Sequence, residues 1–139
     1  MSRKPRQILV VDDNQDIRDL VIRVLSSDDY GLFGASDAEK AFEILASNQI
    51  DLVLLDVMMP GKSGLEVLKD IRQGSNKKIR KIPIMMITAK SGTDDIDTAL
   101  TLGANSYIVK PFRSDLIREK VKNIFENSSN DLLQRGDIE

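Results

Sequence analysis

Four apolar runs in this chain each end on a polar residue of a particular kind, and helical patterns separate them. Ile8-Leu9-Val10-Val11 leads into Asp12-Asp13, and Leu52-Val53-Leu54-Leu55 leads into Asp56. Ile82-Pro83-Ile84-Met85-Met86-Ile87 leads into Thr88, and Tyr107-Ile108-Val109 leads into Lys110-Pro111. Short runs that are apolar without alternation read as strands buried on both faces, which is the state of strands in a parallel sheet. Between them, Ile17, Leu20, Val21, Val24 and Leu25 keep the spacing of one helix face, and Ala38, Ala41, Phe42, Leu45 and Ala46 repeat it. Leu65, Val67, Leu68 and Ile71 mark a third helix, Ile96, Ala99 and Leu100 a fourth, and Ile117, Val121, Ile124 and Phe125 a fifth. Gly31-Leu32-Phe33-Gly34-Ala35 completes the pattern as a strand diluted by two glycines.

Strand and helix therefore alternate five times. Alternation of this kind means an α/β fold: a parallel sheet covered on both faces and wound through right-handed crossovers. The expected architecture is a single-domain, doubly wound (βα)5 sandwich of the flavodoxin-like type, with strand order 2-1-3-4-5. Ligands of such sheets bind beyond the carboxyl ends of the strands, where the order reverses. That edge would gather Asp12, Asp13, Asp56, Thr88 and Lys110 in one crevice.

Helix starts are expected from capping boxes at Ser36 with Glu39 and at Ser63 with Glu66, from Thr93-Asp94-Asp95, and from Ser114 as a cap. The basic stretch Gly74 to Lys81 is expected to be a solvated loop. Residues 6–126 form the expected domain, and residues 127–139 a polar tail or the start of a linker. Neither that tail nor the segment before Arg6 has room for an effector domain.

At 139 residues with 41% hydrophobic side chains, one core can bury roughly two-thirds of the unfolded surface. The apolar runs are too short to span a bilayer, and the basic opening Met1-Ser2-Arg3-Lys4-Pro5-Arg6 lacks the apolar region of a signal peptide. There is no cysteine and no histidine, so thiol and imidazole chemistry are excluded. Any metal must sit on oxygen ligands, which favours Mg²⁺, Mn²⁺ or Ca²⁺. A net charge of −2 and the absence of Trp argue against direct nucleic-acid binding.

Asp12-Asp13-Asn14 taken alone suits a helix cap, Thr88 a strand residue and Lys110 a solvated cation. Together they describe something else. Ionised carboxylates about 4 Å apart repel by about 4 kcal/mol per pair at an effective dielectric near 20. A hard divalent ion resolves that repulsion and accepts a phosphate oxygen. An ammonium and a hydroxyl across the crevice complete a phosphoryl-transfer site, in which a carboxylate can itself be the nucleophile.

The chain resembles the receiver domain of two-component response regulators over roughly residues 6–126. The resemblance rests on Val11-Asp12-Asp13-Asn14, on Asp51 through Gly61 followed by Ser63-Gly64, on Ile87-Thr88-Ala89, on Leu102-Gly103-Ala104, and on Tyr107 through Phe112. It implies Asp56 as phosphoacceptor. It implies Mg²⁺, with Mn²⁺ as a substitute, on Asp13, Asp56 and the backbone carbonyl of Met58, with Asp12 acting mainly through water. Lys110 would pair with the phosphoryl group, and Thr88 and the Ala89 N–H would hydrogen-bond it. Tyr107 would turn inward as Thr88 moves, and the Lys110-Pro111 peptide would be cis. Met58 and Lys90 would flank the phosphoryl group and tune its lifetime. Asp37 stands where many relatives carry glycine.

The resemblance further implies a cytoplasmic signalling switch rather than an enzyme, performing only its own phosphorylation and dephosphorylation. Its donor would be a histidine kinase or histidine-phosphotransfer protein. Its output partner would meet a face made of helix 4, strand 5 and helix 5, with homodimerisation on phosphorylation left open and no membrane contact. An aspartyl-nucleophile, metal-dependent phosphohydrolase is the alternative. Haloacid-dehalogenase-like enzymes of that kind carry a second Asp where this chain has Asn14, and a cap domain for which there is no insertion.

Overall fold

The computed structural model describes residues 5–89 and 93–138. Strands β1 (Arg6–Val11), β2 (Tyr30–Ala35), β3 (Leu52–Asp56), β4 (Ile84–Thr88) and β5 (Ser106–Val109) form one sheet in the order β2-β1-β3-β4-β5. Every pairing is parallel. Helices α1 (Gln15–Leu25), α2 (Ala38–Ser47), α3 (Gly64–Gln73), α4 (Lys77–Arg80), α5 (Thr93–Thr101) and α6 (Ser114–Ile138) lie between and after the strands. This is the α/β architecture and strand order expected from the alternation. No helix among the described residues is long and apolar enough to cross a membrane.

The period-2 geometry of strands splits the core into two layers. Leu9, Val11, Val53, Leu55, Ile84 and Met86 face α2, α3 and α5 through Ala41, Leu45, Val67, Leu68, Ile71 and Ala99. Ile8, Val10, Leu52, Leu54, Met85, Ile87 and Ile108 face α1 and α6 through Val21, Leu25, Ile117, Val121 and Phe125. The central strand β3 and its neighbour β4 are each buried along their whole length, so neither face of the sheet there meets water.

Several local expectations are corrected. The cap of α2 is Asp37, not Ser36: its carboxylate accepts the Lys40 N–H at 2.9 Å. A carboxylate at this position also complements the helix dipole. Ser63 caps α3 as expected, accepting from the Glu66 N–H at 3.2 Å. Helix α6 begins with Ser114 already inside it, because the Arg113 carbonyl accepts the Ile117 N–H at 3.3 Å. The stretch expected to be a solvated loop contains the single-turn helix α4, started by Asn76, whose side chain accepts from Lys78 and Ile79 N–H groups. Helix α6 continues past residue 126 to Ile138. The face expected from helix 4, strand 5 and helix 5 is accordingly that of α5, β5 and α6.

Arg72 ties down the amino-terminal edge of the sheet. Its guanidinium donates to the carbonyls of Gly103 at 3.0 Å, Arg80 at 2.8 Å and Ile82 at 2.7 Å, and to Asn105 Oδ1 at 2.9 Å. Burial lowers its pKa. The same Asn105 oxygen accepts the Ile84 N–H at 2.9 Å, so one side chain links α3, α4, β4 and the α5–β5 connection. Arg72→Gln is expected to lower unfolding stability by about 2–3 kcal/mol, because several carbonyls lose a donor at once. Arg72→Lys is expected to recover little of it, since an ammonium cannot span the fork. Urea midpoints of the two variants check both statements.

Candidate functional site

The carboxyl ends of β1, β3, β4 and β5 open on one crevice. At the first, Asp12 is fully buried, and each of its polar groups has a task. Its N–H donates to the Ala35 carbonyl at 3.1 Å. Its carbonyl accepts the Arg18 guanidinium at 2.7 Å, and its Oδ1 accepts the Asn14 N–H at 2.9 Å. Asn14 in turn caps α1 by accepting the Ile17 N–H at 3.1 Å. The cap and the site are thus divided between neighbours: Asn14 starts the helix, which leaves Asp12 and Asp13 for the crevice. Arg18 was not singled out by sequence reasoning. Its position at the end of the first turn of α1 gives no chemical signal until the helix is folded back beside β1.

Asp56 closes β3 and is 3% exposed. Its carboxylate, with those of Asp12 and Asp13, places oxygen atoms within 4.8 Å of one another. Asp13 is the exposed member of the three. Burial pushes the Asp56 pKa up to about 6, and the charge of Asp12 adds to the rise. Lys110 and the Met58 N–H, which donates to the Asp56 carboxylate, pull the other way. These are hard oxygen donors in a chain without histidine or cysteine, and they fit a divalent cation of the Mg²⁺ type.

Lys110 enters from the end of β5. Its N–H donates to the Thr88 carbonyl at 2.7 Å, which continues the β4–β5 ladder into the site. Its ammonium then stands 3.0 Å from Asp12 Oδ2 and 3.4 Å from Asp56 Oδ1. The Lys110-Pro111 peptide is cis. Thr88 is buried at the end of β4, and Ala89 is exposed just beyond it. Lys90 lies outside the described residues. Tyr107 pairs in register with Met86, is half-buried, and carries the Lys120 ammonium 5.2 Å from its ring centre.

The β3–α3 connection sets the fourth wall. Met58 projects into solvent, 69% exposed, and the chain turns through Pro60-Gly61, where Gly61 takes a φ of +77°. It returns so closely that the Gly64 N–H donates to the Val57 carbonyl at 2.9 Å. A Cβ on Gly64 would stand 1.9 Å from the Asp56 carbonyl oxygen, so only glycine can begin α3 here. Gly64 belonged to the sequence motif, but its reason, the closeness of two backbones, is visible only in three dimensions.

Such a site can hold a hard cation beside a buried carboxylate whose charge is countered by one ammonium. Residues 8–122 match the family model described as the response regulator receiver domain. Regulatory protein VanR of Enterococcus faecium is 40% identical over 116 residues, covering 84% of this chain and 48% of that protein. The uncharacterized transcriptional regulatory protein YrkP of Bacillus subtilis is 39% identical over 115 residues, covering 83% and 47%. The chain thus spans about half the length of these relatives. Among solved structures, chemotaxis protein CheY4 of Vibrio cholerae superposes with a TM-score of 0.80 at 27% identity, covering 86% of this chain and 98% of that one. NtrX of Brucella abortus gives 0.83 at 32% identity, covering 91% and 28%. Sequence, strand order and the position of the acidic cluster agree, and the chain belongs to the response regulator receiver domain family of two-component systems.

Proposed function

We propose that this receiver accepts a phosphoryl group on Asp56 and presents an altered surface as its output. The observation that carries the reading is the Asp56 carboxylate itself: buried, within 4.8 Å of two other carboxylates, and 3.4 Å from the Lys110 ammonium. In the transfer, an Asp56 oxygen attacks the phosphorus of a phosphohistidine donor. The P–O bond forms as the P–N bond breaks, and the departing imidazole nitrogen keeps the electron pair and takes up a proton. Asp12, Asp13, Asp56 and the Met58 carbonyl would hold Mg²⁺, or Mn²⁺ in its place, which when bound neutralises charge on the phosphoryl oxygens. Lys110 does the same from the opposite side as a point charge.

Thr88 and the Ala89 N–H then turn toward the new phosphoryl oxygens. Their movement frees the space that Tyr107 fills, and the α5–β5–α6 face changes for a partner protein or domain. The donor is a histidine kinase or a histidine-phosphotransfer protein, and the switch works in the cytoplasm. Relatives named as regulatory proteins support a signalling role.

Incubation with acetyl phosphate and Mg²⁺ distinguishes switch from hydrolase. A switch gives a stoichiometric adduct and slow phosphate release, whereas rapid multiple-turnover release without an adduct overturns the proposal. By the receiver resemblance Met58 would set an apolar side chain beside the phosphoryl group and Lys90 would add a cation, so the adduct is expected to be long-lived. Met58→Asn and Lys90→Glu are each expected to speed its decay roughly three- to tenfold, the range that one net hydrogen bond supplies. Decay rates of the purified phosphorylated variants check this, and unchanged rates would sink it.

A further inference from the structure

Met58 differs from the other described methionines. Met59 is 8% exposed, Met86 1% and Met85 fully buried, whereas Met58 is 69% exposed. It follows Asp56 by two residues on the β3–α3 connection, so an exposed thioether stands next along the chain to the proposed phosphoacceptor. We propose that Met58 is a redox modification site, and that its conversion to the sulfoxide shortens the life of the Asp56 phosphoryl group. The second half rests on the phosphoacceptor reading of Asp56.

The chemistry is a two-electron oxygen transfer from hydrogen peroxide. A sulfur lone pair attacks one peroxide oxygen, an S–O bond forms, and the O–O bond breaks. The departing hydroxide takes the proton from the transferred oxygen and leaves as water, so the sulfur is oxidised and the peroxide reduced. No cysteine competes for the oxidant, because the chain has none. The product replaces an apolar, flexible group by a polar one with a strong acceptor oxygen. Beside the acyl phosphate, that oxygen accepts a hydrogen bond from water and orients it toward the phosphorus. The thioether only excludes water from the same place. Oxidation thus couples peroxide to loss of signal without changing any of the carboxylates or Lys110.

The test uses the full chain with hydrogen peroxide, followed by peptide mass mapping and by decay of the acetyl-phosphate-derived adduct in Mg²⁺. One oxygen is expected on Met58 while Met59, Met85 and Met86 stay unmodified. The oxidised protein is expected to lose its phosphoryl group roughly three- to tenfold faster, the range of one net hydrogen bond. Methionine sulfoxide reductase should restore the original rate, and Met58→Leu, whatever its own rate, should decay equally fast before and after peroxide treatment. Equal oxidation of the buried methionines overturns the site. Selective oxidation of Met58 with an unchanged decay rate overturns the coupling. If the untreated protein forms no adduct, the phosphoacceptor reading fails and the coupling falls with it, while the oxidation map still decides the site.

Discussion

Gly64→Ala is expected to destabilise the protein by about 3 kcal/mol or more, the upper range for forcing atoms into a packed site. The added methyl carbon would stand 1.9 Å from the Asp56 carbonyl oxygen and 2.8 Å from its carbon. No side chain can rotate to relieve a clash with backbone, so either α3 or the end of β3 must shift. The shift falls on the residue that carries the chemistry. Phosphorylation by acetyl phosphate is therefore expected to slow by about a hundredfold, as for a catalytic group misplaced by ~1 Å. Gly61→Ala is the matched control. Nothing lies within 4 Å of its Cβ position, and only the φ of +77° opposes the change. It is expected to cost about 1–2 kcal/mol, from left-handed strain alone. Urea unfolding and adduct formation, measured on both variants, separate a local clash from a general loss of flexibility. A Gly64→Ala protein within about 1 kcal/mol of wild type would contradict the close approach of the two backbones.

Asp56→Asn is expected to stabilise the metal-free protein at neutral pH. The folded Asp56 pKa is raised to about 6 from 3.8, first by burial and then by Asp12. A raised carboxylate pKa means that the folded state binds the proton more tightly than the unfolded chain does. Stability then falls as pH rises from about 4 through 6, and above that window the ionised carboxylate opposes folding by about 2–3 kcal/mol. Asparagine removes the charge. Its advantage in EDTA is expected to be about 2 kcal/mol at pH 7.5 and to shrink toward zero as pH falls to about 4.5. Mg²⁺ is expected to stabilise the wild type more than the variant, because the cation supplies at Asp56 the charge that folding lacks. Thermal melts across pH, with and without Mg²⁺, read all three effects. A pH-independent gap would show that Asp56 is not strained by its surroundings.

The sheet was legible because two simple signals agreed. Runs such as Leu52 to Leu55 admitted no polar face, and the intervening patterns kept helical spacing. Strand order was one of the common doubly wound types that right-handed crossovers allow, and with it the strand ends brought Asp12, Asp56, Thr88 and Lys110 to one edge. What escaped was set by contacts across space or by competition between adjacent caps. Ser36 and Asp37 are both good caps, and a carboxylate that also meets the helix dipole won. Helix α4 is too short to show a period, and its single turn is held by Asn76 and by the grip of Arg72 on the Arg80 carbonyl. Arg72 carried no signal in the sequence. Its four acceptors come from segments up to 33 residues away, which no local pattern reveals. The polar composition after Asn127 gave no apolar face from which to extend α6.

The most direct test of the account is the intact mass of the protein after incubation with acetyl phosphate and Mg²⁺. A gain of one phosphoryl group per chain is predicted, mapping to the peptide that contains Asp56 and absent both in Asp56→Asn and in EDTA. A gain that persists in Asp56→Asn, or no gain in a correctly folded wild type, would contradict it.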